Sequence, residues 1–475
     1  MWYHPKTFFI GRPFSVEVEN MLDIKLIREN PEIVKRDLIK RGETEKLKWI
    51  DEILELDKKW RENLKKINQL RKERNQLAVQ IGKRKKAGEP IDDLLKRSNE
   101  IVKQIEELEK ENEELKKKID YYLWRLPNIT HESVPVGESD EDNVPIRFWG
   151  KAKVWEGFLE TFKEQSLGKM EYEVLSWRPR LHVDMLELLR GADLERAAKV
   201  SGARFYYLLN ELVILDLALI RFALDKLIEK GFTPVIPPYM VRRFVEEGAT
   251  TFDDFEDVIY KVEGEDLYLI PTAEHPLAGM HANEILDGKD LPLLYVGVSP
   301  CFRKEAGTAG KDTKGIFRVH QFHKVEQFVY SRPEESWEWH ERIIANAEEI
   351  FQALEIPYRV VNICTGDLGY VAAKKYDIEA WMAGQGKFRE VVSASNCTDW
   401  QARRLNIRFR DKTHEKPRFV HTLNSTAIAT SRAIVAILEN HQTEEGVVKL
   451  PKALWKYTGF KEILPAHMKE KCCQD

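Results

Sequence analysis

Cys301-Phe302-Arg303-Lys304-Glu305, a glycine-bearing loop to Gly315, and Arg318-Val319-His320-Gln321-Phe322 form the stretch that decides the fold. Its pattern predicts two strands joined by a loop. On the first, Arg303 and Glu305 stand two residues apart and so share a face. The second presents an aromatic, Phe322. A guanidinium clamps a phosphate, a carboxylate accepts from an exocyclic amine, and a ring stacks on a purine. Taken singly, the same residue types make ordinary surface ion pairs and core aromatics. Within the loop, Gly307-Thr308-Ala309-Gly310-Lys311 invites comparison with a phosphate-binding P-loop. The comparison fails, because Glu305 occupies the first glycine position and Asp312 the Ser/Thr position. No G-x-G-x-x-G follows a strand either. A nucleotide site here needs a different design.

Outward from this stretch, short β-rich runs alternate with helical pattern at 267–270, 293–298, 317–329, 358–363, 389–395 and 417–423, with Pro and Gly between many of them. Residues 151–475 therefore read as one α+β domain, a largely antiparallel sheet with flanking helices. Residues 127–150 mix Pro, Gly and acidic side chains and read as a linker. Before it lies a heptad seam. Ile53, Trp60, Ile67, Arg74 and Ile81 fall seven apart, with Leu56, Asn63, Leu70 and Leu77 as the second seam position. Lys86-Ala87-Gly88-Glu89-Pro90 breaks the helix. The pattern resumes with Leu94, Ile101, Leu108, Leu115 and Tyr122, interleaved by Ile105, Asn112 and Ile119. Two heptad helices with one short break must fold back as an antiparallel coiled-coil hairpin within 21–126. At about 35 residues per helix, the arm projects about 50 Å. Such an arm is too narrow for a catalytic pocket. It reads as a spacer, a dimerisation device or a probe, and Lys83-Arg84-Lys85-Lys86 before its tip favours a polyanion.

Composition bounds the rest. A chain of 475 residues is long enough for two or three domains. Its charged content of 32% exceeds the usual quarter or so, and the Lys and Glu excess suits long solvated helices. A net charge of −4 argues against a wholly basic nucleic-acid coat but leaves room for a local basic stripe. The five cysteines are Cys301, Cys364, Cys397, Cys472 and Cys473. They outline neither a disulfide framework nor a zinc site, which points to the reducing cytoplasm. No apolar run is long enough to span a membrane. Residues 1–20 lack a signal peptide's features, and patterned sequence begins near a second possible start at Met21. They read as a tail, or as no part of the natural product.

The ordered set of motifs resembles a known family. F-R-x-E at 302–305, a loop, then R-x-x-x-F at 318–322 resembles motif 2 of the class II aminoacyl-tRNA synthetases. Gly231-Phe232-Thr233-Pro234-Val235-Ile236-Pro237-Pro238-Tyr239 resembles motif 1, with Pro238 at its characteristic proline. Asn424-Ser425-Thr426-Ala427-Ile428-Ala429-Thr430-Ser431-Arg432 resembles motif 3. Ser425, Ala427 and Ser431 stand where that motif often has glycines. All three are small, so close ligand approach survives. The stretch between narrows the likeness to the seryl-tRNA synthetases. Thr272-Ala273-Glu274, His320-Gln321-Phe322-His323-Lys324-Val325-Glu326 and Ser395-Asn396-Cys397-Thr398-Asp399-Trp400-Gln401-Ala402-Arg403-Arg404 are similar to segments particular to them. So is the N-terminal coiled-coil arm. The resemblance runs from Met21 almost to the C-terminus.

The resemblance implies an enzyme that activates serine with ATP and charges tRNA(Ser), with tRNA(Sec) a further substrate where the source has one. It implies a homodimer through motif 1, ATP as substrate, Mg²⁺ as cofactor, and tRNA gripped by the arm near Lys83, Arg84, Lys85 and Lys86. Arg303 is expected on the α-phosphate and Arg432 on the γ-phosphate end, where fixed cations meet charge that develops during adenylation. Lys304, Glu305, Val319 and Phe322 are expected around the nucleotide, with Glu305 on the adenine amine and Phe322 stacked on the ring. Glu390, Val391, Val392 and Ser393 complete the ATP segment, with Glu390 and Ser393 as hard-oxygen ligands for Mg²⁺. Arg303, Glu390 and Arg432 are thus the expected catalytic group. For serine the expected contacts are Thr272, Ala273, Glu274, Arg303, Glu326, Asn424 and Thr426, with Glu326 and Thr426 on the hydroxyl. His320 and His323, three apart on a strand, point to opposite faces and do not form a zinc pair. The alternatives are a non-catalytic RNA-binding paralogue, which would have lost Arg303, Glu326 or Arg432, and an amino acid:carrier-protein ligase, which would lack the arm.

Overall fold

The computed structural model describes residues 23–251, 258–305 and 314–472. The tail at 1–20, the second start at Met21, the Gly307–Lys311 stretch and Cys473 lie outside the described residues. Among the described residues no helix is long and apolar enough to cross a membrane.

Two short helices, α1 (Ile24–Glu29) and α2 (Pro31–Lys40), precede the arm. The arm itself is α3 (Leu47–Ala87), 41 residues, and α4 (Asp92–Leu123), 32 residues. The longer helix spans about 60 Å, not the 50 Å anticipated. Gly88 closes α3 in the left-handed region at φ 71°, and its N–H returns to Arg84 O, so the break falls at the expected glycine. Asp92 and Asp93 open α4, where carboxylates meet the positive end of the helix dipole. The heptad seam is buried at Ile53, Ile67, Ile101, Ile105, Leu115 and Ile119. It also encloses two amides. Asn63 Nδ2 donates to Glu111 Oε2 at 2.8 Å and Asn112 Nδ2 to Trp60 O at 3.3 Å. Buried amides of this kind fix the register of a coiled coil. Toward the tip the seam loosens, and Arg74, a seam position by spacing, is exposed. At the base, α1 and α2 pack on both arm helices through Ile27, Leu38, Ile50 and Leu123. There Asp57 is buried and takes Arg28 at 2.5 Å and Arg61 at 2.9 Å.

The body is built on an eight-stranded sheet: β1 (Val144–Trp149), β2 (Thr233–Val235), β3 (Leu293–Phe302), β4 (Gln321–Ser331), β5 (Tyr358–Asn362), β6 (Lys374–Met382), β7 (Lys387–Asn396) and β8 (His421–Ala429). Their spatial order is β1-β5-β6-β7-β8-β4-β3-β2. Every pairing is antiparallel except β2 with β3. Helices α5 (Glu211–Glu229), α6 (Ser336–Ala353) and α7 (Thr430–Asn440) cover one face. Leu215, Leu219, Ile343, Ala347, Ile434 and Ile437 share one apolar core there with Val325 and Val329. Gln327 Nε2 donates to Ile343 O at 3.0 Å, which fixes the odd-numbered residues of β4 on the helical face. The even-numbered residues face the other way.

Several boundaries depart from the sequence reading. β3 ends at Phe302, so Arg303 and Glu305 lie beyond the strand, with Glu305 at φ 50°. They do not present from one strand face. The run 317–329 becomes strand only from Gln321. The run 417–423 divides between a small side sheet at Arg418–Phe419 and β8. The segment that resembles motif 1 is not one continuous strand, since Thr233–Val235 and Met240–Val241 flank Pro237-Pro238. Part of the expected linker, Val144–Trp149, pairs as the sheet's edge strand. β6 was not anticipated. Most of its residues are buried on both faces, so it lacks the polar alternation that marks an exposed strand.

Candidate functional site

The sheet face away from α5–α7 gathers the chemistry, and two bulges make this possible. Glu326 on β4 faces Thr426 on β8, and the register then slips by one, with Ala427 the extra residue. Between β6 and β7, Ser393 faces Asp377 but Glu390 faces Glu379, so Val391 is the extra residue. In a regular strand, residues three apart point to opposite faces. The bulge brings Glu390 and Ser393 to the same one. Lys324, Glu326, Phe322, Asn424, Thr426, Glu390 and Ser393 therefore share a face. Gly297 on β3, opposite Glu326, lets Ala273 in, because a Cβ there would lie 2.8 Å from the Ala273 Cβ.

Arg303 lies just past β3. Its N–H donates to His320 O at 2.9 Å, and its Nε donates to Pro271 O at 3.2 Å. The guanidinium carbon sits 5.3 Å from the Phe322 ring centre. His320 Nδ1 donates back to Arg303 O at 2.8 Å, while His323 Nδ1 pairs with Asp216 at 2.8 Å on the helical side. Arg318 holds Glu305 at 2.8 Å. Thr272 Oγ1 accepts from Glu274 N at 3.1 Å, and Glu274 Oε1 accepts from Asn424 at 3.0 Å. A cavity of about 400 Å³ opens among Thr272, Glu274, Arg303, Glu305 and Arg318, a size suited to a small molecule. Next to it, Arg432 at the start of α7 contacts Glu390 Oε1 at 3.1 Å and the Glu390 carbonyl at 3.0 Å. Its guanidinium carbon lies 4.9 Å from the Phe317 ring centre.

The charges are polarised by burial. Glu326 is buried, and desolvation raises its carboxyl above the usual range although Lys324 pulls it back and Thr426 donates to it. Lys324 Nζ lies 2.6 Å from Glu326 Oε2, and Thr426 Oγ1 donates to the same oxygen at 3.3 Å. Burial also raises Glu390, but Arg432, Lys375 and Arg303 outweigh it and hold that carboxyl below its usual value. The Glu390 side chain is still 46% exposed, so a ligand can reach it. An accessible anionic carboxylate beside a hydroxyl fits a hard divalent cation that keeps few protein ligands.

Comparison with known proteins follows this geometry closely. The pattern of the tRNA synthetase class II core domain (G, H, P, S and T) matches residues 258–441, and that of the seryl-tRNA synthetase N-terminal domain matches residues 21–130. The serine–tRNA ligase of Thermococcus gammatolerans is 95% identical over 455 residues, covering 96% of this chain and all of its own. The chain belongs to the seryl-tRNA synthetases. The crystal structure of the seryl-tRNA synthetase from Pyrococcus horikoshii complexed with ATP superposes with a TM-score of 0.91 at 84% identity, over 94% of this chain and all of that one. A cytoplasmic serine–tRNA ligase from Naegleria fowleri in complex with AMP gives 0.81 at 37% identity over the same shares.

This synthetase brings together most of the residues singled out by sequence. Thr272, Glu274, Arg303 and Glu305 line the cavity, Phe322, Glu326, Asn424, Thr426, Glu390 and Ser393 share the sheet face, Asn424 joins the two through Glu274, and Arg432 is tied to Glu390. The side chains of Val319, Val391 and Val392 do not join them. They are buried in the core with the helices, which leaves only their backbone for a ligand. At the arm tip, Lys83, Lys85 and Lys86 are exposed, but Arg84 reaches Asp93 at 3.2 Å and braces the hairpin turn. Sequence reasoning passed over Lys324, although its place two residues before Glu326 on a strand was enough to set both on one face. It also gave no role to Gln401 or Arg318, whose partners come from distant segments. A larger recess of about 800 Å³ lies between the arm base and the body, among Asp57, Trp60, Lys116, Arg403 and Arg418. It contains none of the expected site residues.

Proposed function

We propose that this seryl-tRNA synthetase activates serine with ATP to seryl-adenylate and passes the seryl group to the 3′ end of tRNA(Ser), working in the cytosol as a homodimer. Serine's carboxylate oxygen attacks the α-phosphorus in line, and pyrophosphate leaves. The terminal ribose hydroxyl of tRNA then attacks the seryl carbonyl, and AMP leaves. Neither step needs a covalent enzyme intermediate, so positioning and charge do the work. Arg303 steadies the α-phosphate where charge develops, Arg432 takes the far phosphate, Phe322 stacks on the base, and Glu305 accepts from its amine. Serine's ammonium meets Glu274 and Thr272, and its hydroxyl meets Glu326 and Thr426. A hydroxyl-matching site rejects alanine strongly, because an analogue without the hydroxyl leaves buried polar groups unpaired. Mg²⁺ would be held by Glu390 and Ser393 and would neutralise phosphate charge.

The observation that carries this reading is the shared face. Glu326, Thr426 and Glu390 stand on that face, Arg432 contacts Glu390, and Glu274 and Arg303 line the cavity of about 400 Å³, although the six come from five separated segments. Among the described residues, Cys301, Cys364 and Cys397 are buried free thiols, which suit a reducing compartment. The test is ATP–pyrophosphate exchange with each amino acid in turn, followed by charging of tRNA(Ser). Serine alone should support both. Exchange driven equally by alanine or threonine would overturn the assignment of the pocket.

A further inference from the structure

Gln401 lies outside the cavity and outside every motif role described so far, yet it is fully buried and both of its side-chain polar atoms are hydrogen-bonded. Its Nε2 donates to Glu274 Oε1 at 2.9 Å and to Ala249 O at 3.0 Å. Its Oε1 accepts from Thr422 Oγ1 at 2.7 Å. This amide cannot flip. A carboxylate and a carbonyl are both acceptors, so the NH₂ end must face them and the oxygen must face the hydroxyl. The backbone that carries it is fixed as well. The short helix Trp400–Arg404 ends in a buried arginine whose guanidinium lies against both Trp400 and Trp124. Arg404 also donates to Glu247 O and Thr250 O at 3.3 Å and to Trp124 O at 2.8 Å.

Asn424 Nδ2 meets the same Glu274 oxygen from the other side at 3.0 Å. Two fixed amides therefore saturate Oε1 and leave Oε2 as the acceptor at the cavity wall, which Glu274 lines. We propose that Gln401 is a positioning residue that aims the Glu274 carboxylate at the ammonium group of the amino acid substrate. This inference rests on the reading of Thr272-Ala273-Glu274 as the serine element. It assigns the rigidity of that element to a side chain 127 positions away in sequence.

Two variants test it in pyrophosphate exchange. Gln401→Met keeps the volume and removes the donor. It should lower kcat/KM for serine by at least about tenfold, the loss expected for one hydrogen bond to a charged group, while the KM for ATP stays within about twofold. Gln401→Glu keeps the shape and can donate only when protonated. Its kcat/KM for serine, relative to wild type, should therefore rise as pH is lowered from 8 toward 6, as the introduced carboxyl takes up the proton it needs to donate. A merely structural role would not produce that slope. Unchanged serine kinetics in both variants, or equal loss for serine and ATP with no pH dependence in Gln401→Glu, would overturn the proposal. If Gln401→Met does not fold, the pH slope of Gln401→Glu decides alone. Failure of the wild type to exchange with serine would instead overturn the function proposed above.

Discussion

Lys324 and Glu326 stand two apart on β4, both buried, at 2.6 Å. A buried carboxylate beside an ammonium is costly to leave alone, and removing one partner normally forces the other to change its protonation. The Glu326 carboxyl is already raised by burial, with Lys324 opposing the rise. The ionised form, proposed above to accept from serine's hydroxyl, is lost as pH falls through that raised pKa. Lys324→Met removes the opposing cation, so the acid limb of kcat/KM for serine should move to higher pH, with ATP binding much less affected. An acid limb that stays in place, measured over pH 5–8, would show that Lys324 does not tune Glu326. Arg303 belongs to the same scale. Among the described residues its guanidinium donates to one backbone carbonyl, Pro271 O, and to no carboxylate, so its charge is available to a phosphate. Arg303→Ala should reduce serine-dependent exchange by at least about a hundredfold, equivalent to about 3 kcal/mol of transition-state stabilisation. A loss of only a few-fold would remove it from the mechanism.

The arm is the element whose role separates most cleanly. Its seam lies within itself, but its base is part of the body's support. Asp57 pairs with Arg28, and Ile53 and Ile119 pack on α1 and α2. A cut close to the body would expose these groups. A cut beyond Asn63 and Glu111 spares them. Deleting residues 64–110 and bridging the helices with a short Gly-Ser linker should leave serine-dependent exchange near wild type and sharply reduce charging at limiting tRNA. Unchanged charging kinetics would make the arm a spacer. Loss of both activities in a folded protein would mean that the arm supports the recess. Neutralising Lys83, Lys85 and Lys86 should weaken tRNA binding and reduce its salt dependence by up to about one unit of slope per lysine. Neutralising Arg84 should instead loosen the hairpin turn, because that side chain is engaged with Asp93.

At the scale of the molecule, the body leaves an apolar surface at and just after the segment that resembles motif 1. Ile236 is 75% exposed, and Tyr239, Met240 and Phe244 are also exposed. A surface of this kind beside a catalytic recess is expected to be covered by a second copy through a two-fold axis. Light scattering should report about twice the 55.6 kDa chain mass. Ile236→Asp combined with Met240→Asp should shift the protein toward monomer and lower exchange with it. A fully active monomer would sink the claim that the enzyme works as a homodimer.

The sequence by itself determined the arm and the α+β body, and its motifs singled out the candidate site residues. Heptads at Ile53, Ile67, Ile101 and Ile119 and a break at Gly88 are local patterns, set by helix period and by the left-handed freedom of glycine. The motif residues Arg303, Glu326, Glu390 and Arg432 were legible because the short segments that hold them resemble the family's ordered motifs. Only the tertiary structure decided which of them meet. The bulges at Val391 and Ala427 reverse strand facing, so Glu390 and Ser393 share a face that simple alternation denies them. The place of Arg303 beyond β3, the doubly buried β6 and the edge strand inside the expected linker follow from sheet pairing across long separations. Gln401 on Glu274 and Arg404 on Trp124 depend on contacts 127 and 280 residues apart, which no local period encodes.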